Sequence, residues 1–169
     1  RIRVSLPIVS RPSPSRQGAA RNPSPVYRSE LASPNAPAAS APVAILADLD
    51  SGQVLFERSA DERRPIASVT KIVTALLVLE RTSPQDVVTV SSAAAGDGRT
   101  AGISELGLQT GERIRVDDLV SALLLQSAND AAVALAEHVA GTVEDFVELM
   151  NRTAVRLGMS RTRFASPNG

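Results

Sequence analysis

The first strong hydrophobic pattern begins at residue 43. Two apolar runs, residues 43–49 and 53–58, flank the polar stretch Asp50-Ser51-Gly52. Two such runs around a glycine-containing turn are typical of a β-hairpin. The pattern therefore predicts strands near 43–49 and 53–58. Because a lone hairpin is marginally stable in water, we expect further strands to complete its sheet.

A second pattern follows Pro65. Residues 66–80 are apolar on nearly every side of a helical projection and end before Thr82-Ser83-Pro84. A helix that is apolar all round is usually buried inside a domain. The pattern predicts a central, buried helix that ends near residue 80.

The remaining patterns predict mainly helices. Residues 86–90 predict a short strand, and residues 91–115, which are rich in Gly, Ser and Thr, predict loops with short strands. Two helices are predicted at 116–126 and 129–140, separated at Ser127-Ala128. The predicted fold class is α+β.

A last amphipathic helix is predicted at residues 142–157. Thr142 and Asp145 have the spacing of a capping box, and Gly158 is a typical helix stop. The helical part of the chain is thus a cluster attached to the first hairpin of a sheet.

Composition separates the first 42 residues from the rest. Residues 1–42 hold eight of the eleven prolines, six arginines and a single acid, Glu30. This composition predicts a disordered, basic tail or linker. Residues 43–169 hold 12 basic and 17 acidic side chains, so we predict one mildly acidic folded domain there.

Several function classes are excluded by composition. The chain has no Cys and one His, so thiolate chemistry and a multi-histidine metal site are impossible within it, and we predict neither a metal nor a cofactor. A formal net charge of +0 and 2% aromatic residues argue against nucleic acid as a partner. No apolar run has the ~20 residues that a membrane helix needs.

Lys71 is the only lysine among 18 basic residues, and it lies in the most apolar predicted helix. Burial there lowers the pKa of an amine, and a lysine, unlike an arginine, can then act as a general base. Ser68 stands three positions earlier, on the same helical face. Near a helix start, its hydroxyl also gains from unpaired backbone N–H groups, so the pair predicts an activated nucleophile. The alternative is that Ser68 caps the helix and Lys71 extends to the surface.

A second group of polar residues, Ser127 and Asn129, lies at the break between the next two predicted helices. Taken alone, these residues are best explained as caps of the following helix, with Asp130 favourable in its first turn. The functional alternative is that Ser127 relays a proton and Asn129 orients a substrate amide. His138, the single histidine, has no acidic residue three or four positions away and is interpreted as a structural helix residue.

Taken together, the sequence around these motifs resembles the D-alanyl-D-alanine carboxypeptidase family of low-molecular-mass penicillin-binding proteins. The resemblance runs from about Val43 to Gly169 and rests on four blocks, residues 67–80, 107–112, 127–141 and 146–159. It implies the β-lactamase/penicillin-binding transpeptidase-like fold.

The resemblance also implies an activity. Ser68 is then the acyl-forming nucleophile, Lys71 its proton acceptor, and Ser127 with Asn129 the second motif of the cleft. The implied reaction removes the terminal D-alanine of a peptidoglycan stem peptide through an ester on Ser68, which β-lactams would also acylate. The location implied is outside the cytoplasm, with peripheral membrane association through a C-terminal part, although the opening residues lack a signal-peptide core.

Two departures from the family pattern stand out. The family's third motif, Lys-Thr-Gly, cannot occur in this chain because Lys71 is its only lysine. The last residues are Ser166-Pro-Asn-Gly169, where the family usually has Asn-Pro-His-Gly. We therefore expect a truncated catalytic domain at 43–169, with the C-terminal strands missing and the piece alone inactive.

Two other functions are considered. A class A-like β-lactamase shares the Ser-x-x-Lys motif, but its deacylating glutamate lies in a loop, whereas the acids after Asn129 fall in predicted helices. A non-catalytic scaffold that retains the helix pair is the second alternative.

Overall fold

A computed structural model describes residues 40–96 and 104–169 of the chain. It divides into two compact units, Arg1–Ala60 and Asp61–Gly169. Almost all of the predicted tail at 1–42 lies outside the described residues, so that domain boundary stays a prediction.

The described part of the first unit is a β-hairpin. Strand β1, Ala44–Ala47, pairs antiparallel with β2, Val54–Arg58. The turn forms because the Asp48 carboxylate accepts a hydrogen bond from the Ser51 backbone N–H at 2.7 Å and Gly52 adopts a left-handed φ of 71°. The predicted hairpin is confirmed, with both strands slightly shorter than the apolar runs.

The second unit contains the helical cluster. Its elements, in chain order, are a 3₁₀ turn Ala67–Thr70, α1 Lys71–Arg81, β3 Val87–Thr89, α2 Ser92–Ala95, β4 Arg113–Arg115, α3 Val116–Leu125, α4 Asn129–Ala140 and α5 Val143–Arg156. The predicted strand at 86–90 and the helices at 116–126, 129–140 and 142–157 are confirmed. The predicted loops hold β4, which pairs antiparallel with β3, and the short helix α2; residues 97–103 of this stretch lie outside the described part.

Helix α4 lies at the centre of the second unit. Its alanines 131, 132 and 134 pack with residues of α1 and α3, whereas Ala136 packs with residues of α1 and α5. Small side chains let neighbouring helices approach closely, so one helix can support two hydrophobic clusters. This arrangement brings the start of α4 next to the start of α1.

One expectation about α1 was wrong. The all-round apolar pattern predicted burial on every side, but Ile72 and Leu79 are 63% and 59% exposed. Leu77 and Val78, on the opposite side, are fully buried. The helix therefore buries one side against α3, α4 and α5 and leaves apolar residues exposed on the other. None of the helices in the described ranges is long and apolar enough to cross a membrane.

Helix α5 begins and ends as its sequence predicts. The Thr142 hydroxyl accepts a hydrogen bond from the Asp145 backbone N–H at 3.1 Å and donates one to the Asp145 carboxylate at 2.8 Å. Gly158, with φ of 75°, follows the last turn. A cap of this kind contributes about 1 kcal/mol.

Candidate active site

Ser68 lies in the 3₁₀ turn that leads into α1, not within the α-helix itself. In a 3₁₀ turn the side chains at i and i+3 eclipse one another. Lys71, the first residue of α1, accordingly donates a hydrogen bond from Nζ to Ser68 Oγ at 3.1 Å. No side-chain cap is formed by Ser68, since the 3₁₀ turn and α1 both begin without one. The helical spacing therefore predicted the contact between Ser68 and Lys71. Ser68 itself lies in a 3₁₀ turn and not in the predicted α-helix.

Lys71 is buried, with only 3% of its surface exposed. Burial disfavours the charged ammonium and lowers the pKa of Lys71 below the ordinary lysine value. Among the described residues, Lys71 forms no salt bridge that would offset this effect. The side chain does not extend to the surface, so the amine is suited to accepting a proton.

Asn129 comes to the same point from α4. Its Oδ1 accepts a hydrogen bond from Lys71 Nζ at 2.7 Å, across 58 positions of the chain. The cap position of α4 is Ala128, with no side-chain cap bond. The local explanation of Ser127 and Asn129 as helix caps is therefore wrong, and the Asn129 side chain is directed to the lysine.

Ser127 occupies the break between α3 and α4. Its φ of 58° is in the left-handed region, which is uncommon for a residue other than glycine. Within the described part of the chain, its Oγ is the one buried side-chain polar atom without a hydrogen-bond partner. Strain and an unpaired buried hydroxyl both tend to occur at functional sites. The structure does not link Ser127 to Ser68 or Lys71 by a hydrogen bond.

The start of α4 is fixed by Asp130, a role that sequence reasoning missed. This buried carboxylate accepts hydrogen bonds from four backbone N–H groups, those of Leu106, Gly107, Leu108 and Ala131, at 2.9 to 3.1 Å. The adjacent Asn129 N–H donates to the Ser104 carbonyl at 2.8 Å. Segment 104–108 and the second motif are thus held together, which restricts the orientation of Asn129.

The last residues of the chain supply a main-chain contact. The Asn168 carbonyl accepts a hydrogen bond from Lys71 Nζ at 3.1 Å. The preceding carbonyl, that of Pro167, accepts one from Thr74 Oγ1 at 2.6 Å. Sequence reasoning missed both contacts because a backbone carbonyl has no signature in residue type.

His138 takes no part in this cluster of hydrogen bonds. It is exposed in the last turn of α4, whereas the described contacts of Lys71 Nζ are with Ser68, Asn129 and Asn168. The geometry is that of a serine and lysine pair supported by an amide.

Comparison with known proteins identifies the family of the chain. The profile of a family described as D-alanyl-D-alanine carboxypeptidase matches residues 30–169. The chain is 40% identical over 141 residues to the D-alanyl-D-alanine carboxypeptidase DacC of Escherichia coli, covering 79% of this chain and 35% of the relative. It is 37% identical over 131 residues to DacF of Bacillus subtilis, covering 75% of this chain and 33% of the relative.

Solved structures show the same likeness. The D-alanyl-D-alanine carboxypeptidase DacD of Francisella tularensis matches with a TM-score of 0.73 and 33% identity over 85% of this chain and 35% of that one. The D-alanyl-D-alanine carboxypeptidase of Mycobacterium tuberculosis matches with a TM-score of 0.69 and 34% identity, covering 76% of this chain and 47% of that one. The chain spans about a third of the length of the curated relatives it matches. The family profile matches most of the chain and the fold matches solved structures of the family, so the chain belongs to the D-alanyl-D-alanine carboxypeptidase family.

Proposed function

We propose that the protein is a serine-type D-alanyl-D-alanine carboxypeptidase, with Ser68 as its nucleophile. The observation that carries the proposal is the buried Lys71 amine, which contacts both Ser68 Oγ and Asn129 Oδ1. A buried amine beside a serine hydroxyl is an arrangement that activates the nucleophile. Membership of the family supports this activity over a class A-like β-lactamase or a non-catalytic scaffold.

In the proposed reaction, Ser68 Oγ transfers its proton to Lys71 Nζ and attacks the carbonyl carbon of the penultimate D-alanine. The peptide bond breaks, and the departing D-alanine amine takes up a proton. Water then hydrolyses the ester and restores the Ser68 hydroxyl. A β-lactam would form the same ester by opening its ring.

The second motif has two proposed roles. Asn129 holds the lysine through Oδ1, which leaves its amide N–H₂ group free to orient a substrate carbonyl. Ser127, whose buried hydroxyl lacks a protein partner among the described residues, is proposed to relay a proton to the leaving amine. Substrate binding is proposed to complete the hydrogen bonding of both side chains.

The proposed substrate is the peptidoglycan stem peptide, and β-lactams are the proposed inhibitors. Since peptidoglycan lies outside the cytoplasmic membrane, the proposed location is extracytoplasmic, in the periplasm or cell envelope. Peripheral membrane association stays a prediction from the family resemblance.

The test is intact mass spectrometry of the complete gene product after incubation with penicillin. We expect one covalent adduct per molecule, absent in Ser68→Ala and present in the control Ser121→Ala, which removes an exposed hydroxyl on α3. A folded protein that forms no adduct would indicate a non-catalytic scaffold. A protein that turns over a chromogenic cephalosporin rapidly, without releasing D-alanine from a peptide ending in D-Ala-D-Ala, would be a β-lactamase.

A further inference from the structure

The contact between Lys71 and the Asn168 carbonyl completes the hydrogen bonding of the amine. An ammonium group has three N–H donors, and Lys71 Nζ has three oxygen partners within the described residues, Ser68 Oγ, Asn129 Oδ1 and the Asn168 carbonyl, at 3.1, 2.7 and 3.1 Å. All three donors of the charged form are therefore satisfied.

The same partners determine how the neutral amine is oriented. A neutral amine has two N–H donors and one lone pair. The oxygens of Asn129 and Asn168 can only accept hydrogen bonds, whereas the Ser68 hydroxyl can also donate. The two N–H groups therefore point to the two carbonyl oxygens, and the lone pair points to Ser68. Without the Asn168 carbonyl, one N–H loses its acceptor and the amine is free to turn.

The carbonyl of Asn168 is held in place from α1. Thr74, one turn after Lys71, is fully buried and donates from Oγ1 to the Pro167 carbonyl at 2.6 Å. Residues three apart on α1 thus bind two consecutive carbonyls of one segment. The Pro167 carbonyl belongs to the planar peptide unit that ends at Asn168 Cα, so holding this carbonyl fixes the position of that Cα. Only φ and ψ of Asn168 then separate the held unit from the carbonyl that meets Lys71.

The segment that carries these carbonyls is fixed at both ends. At one end, the Asn151 side chain of α5 accepts from the Phe164 N–H at 2.9 Å and donates to the Phe164 carbonyl at 3.0 Å. At the other end, Gly169 has a φ of 81°, and a Cβ there would collide with the backbone carbonyl of Ala67. The backbone at 169 therefore lies directly against the turn that carries Ser68.

We propose that Thr74 is a positioning residue for Lys71, acting through the Pro167 and Asn168 carbonyls. Its hydroxyl holds the segment so that the Asn168 carbonyl meets the amine and directs the lone pair to Ser68. The inference rests on the proposed function and adds a residue outside both sequence motifs. Because the contact at position 168 is made by the main chain, it is independent of the asparagine that replaces the family's usual histidine.

The test compares Thr74→Val, which removes the hydroxyl at nearly constant size, with Thr74→Ser, which keeps it, in the complete gene product. Thr82→Val is the matched control, since Thr82 makes a bond of the same kind, from Oγ1 to the Val78 carbonyl at 2.7 Å, at the other end of α1. If Thr74→Val does not fold, Thr74→Ala removes the same hydroxyl with less bulk.

Two quantities are measured. The first is the rate of acylation by a β-lactam as a function of pH. The second is the pKa of Lys71, from ¹³Cε-labelled lysine by NMR, with the Lys71 signal assigned by its loss in Lys71→Arg. The acidic residue that follows Asn129 in the chain is Asp130, whose carboxylate accepts hydrogen bonds from backbone N–H groups and is unchanged in all these variants.

In Thr74→Val, we expect acylation on the high-pH plateau, where Lys71 is neutral in both proteins, to fall about tenfold, the factor for one hydrogen bond of ordinary net strength. The pKa of Lys71 should fall further, because an acceptor that stabilises the ammonium is lost. Thr74→Ser should recover most of the rate, and Thr82→Val should match the parent protein.

An unchanged Lys71 pKa in Thr74→Val would overturn the proposal, even if the rate or the thermal stability falls, because that result indicates a purely structural role. Failure of the proposed function is distinguishable. It would appear as no acylation of the parent protein, while the NMR titration still reports whether Thr74 acts on Lys71.

Discussion

Lys71 Nζ and Asn129 Oδ1 lie 2.7 Å apart, although 58 positions of chain separate them. The contact joins the first residue of α1 to the first residue of α4. It makes the amine the shared element of the two motifs. Most of the expected behaviour of the site follows from how this amine is buried and bonded.

Lys71→Arg should abolish acylation by β-lactams while the positive charge is kept. Arginine cannot give up its proton at workable pH, so the Ser68 proton has no acceptor. Intact mass after incubation with penicillin measures this, with circular dichroism as the control for folding. Acylation at the parent rate would show that Lys71 is not the base.

The acylation rate should rise with pH, and the midpoint of this rise should lie below the pKa of an ordinary lysine. The reason is that burial lowers the pKa of Lys71 and the neutral amine is the active form. A stopped-flow series with a fluorescent penicillin gives the midpoint. A midpoint at or above ~10.4, the value of an unperturbed lysine, would contradict the assignment.

The same shift predicts how stability depends on pH. Between the folded pKa of Lys71 and the higher unfolded value, the unfolded chain binds more protons, so the free energy of unfolding rises with pH through this window. Below the folded pKa, the cost of the buried charge is fully present. Urea unfolding of the parent protein and Lys71→Met across this range should show the slope in the parent alone.

Asn129→Asp should move the acylation midpoint in the opposite direction. The substitution keeps shape but places a carboxylate beside the amine, which stabilises the ammonium and raises the pKa of Lys71. We expect acylation at neutral pH to fall by ~10-fold or more, with partial recovery at higher pH. Gln126→Glu, an exposed change in the same break, is the control. A rate that does not recover with pH would mean that Asn129 acts only on the substrate.

Asp130→Ala should destabilise the fold more than the loss of one hydrogen bond. Its carboxylate bonds to four backbone N–H groups, some of them buried, and these lose their acceptor. We expect a loss of at least ~3 kcal/mol in the free energy of unfolding. The control Asp118→Ala, which removes an exposed salt bridge with Arg115, should change it far less, because exposed ion pairs are screened by solvent. Equal effects of the two variants would show that segment 104–108 is not anchored through Asp130.

Much of the fold and part of the site could be predicted from local sequence. The limits of α4 and α5 follow from apolar periodicity and from caps such as Thr142, which depend on neighbouring residues alone. The Ser68 and Lys71 pair was predictable for the same reason, because three positions along a helical turn bring two side chains together. The exposed side of α1 was not predictable, since an apolar pattern does not say which side finds a partner.

The sequence by itself determined most of the elements and the chemistry available to them: a hairpin, four of the helices and a lone lysine three positions after a serine. Only the tertiary structure decided that Asn129 is directed to Lys71 instead of capping α4, and that the Asn168 carbonyl is the amine's third partner. The physical reason is the separation along the chain over which each kind of interaction acts. Caps and helical spacing act within a few residues, whereas these contacts arise from packing of helices and segments that are distant in the chain.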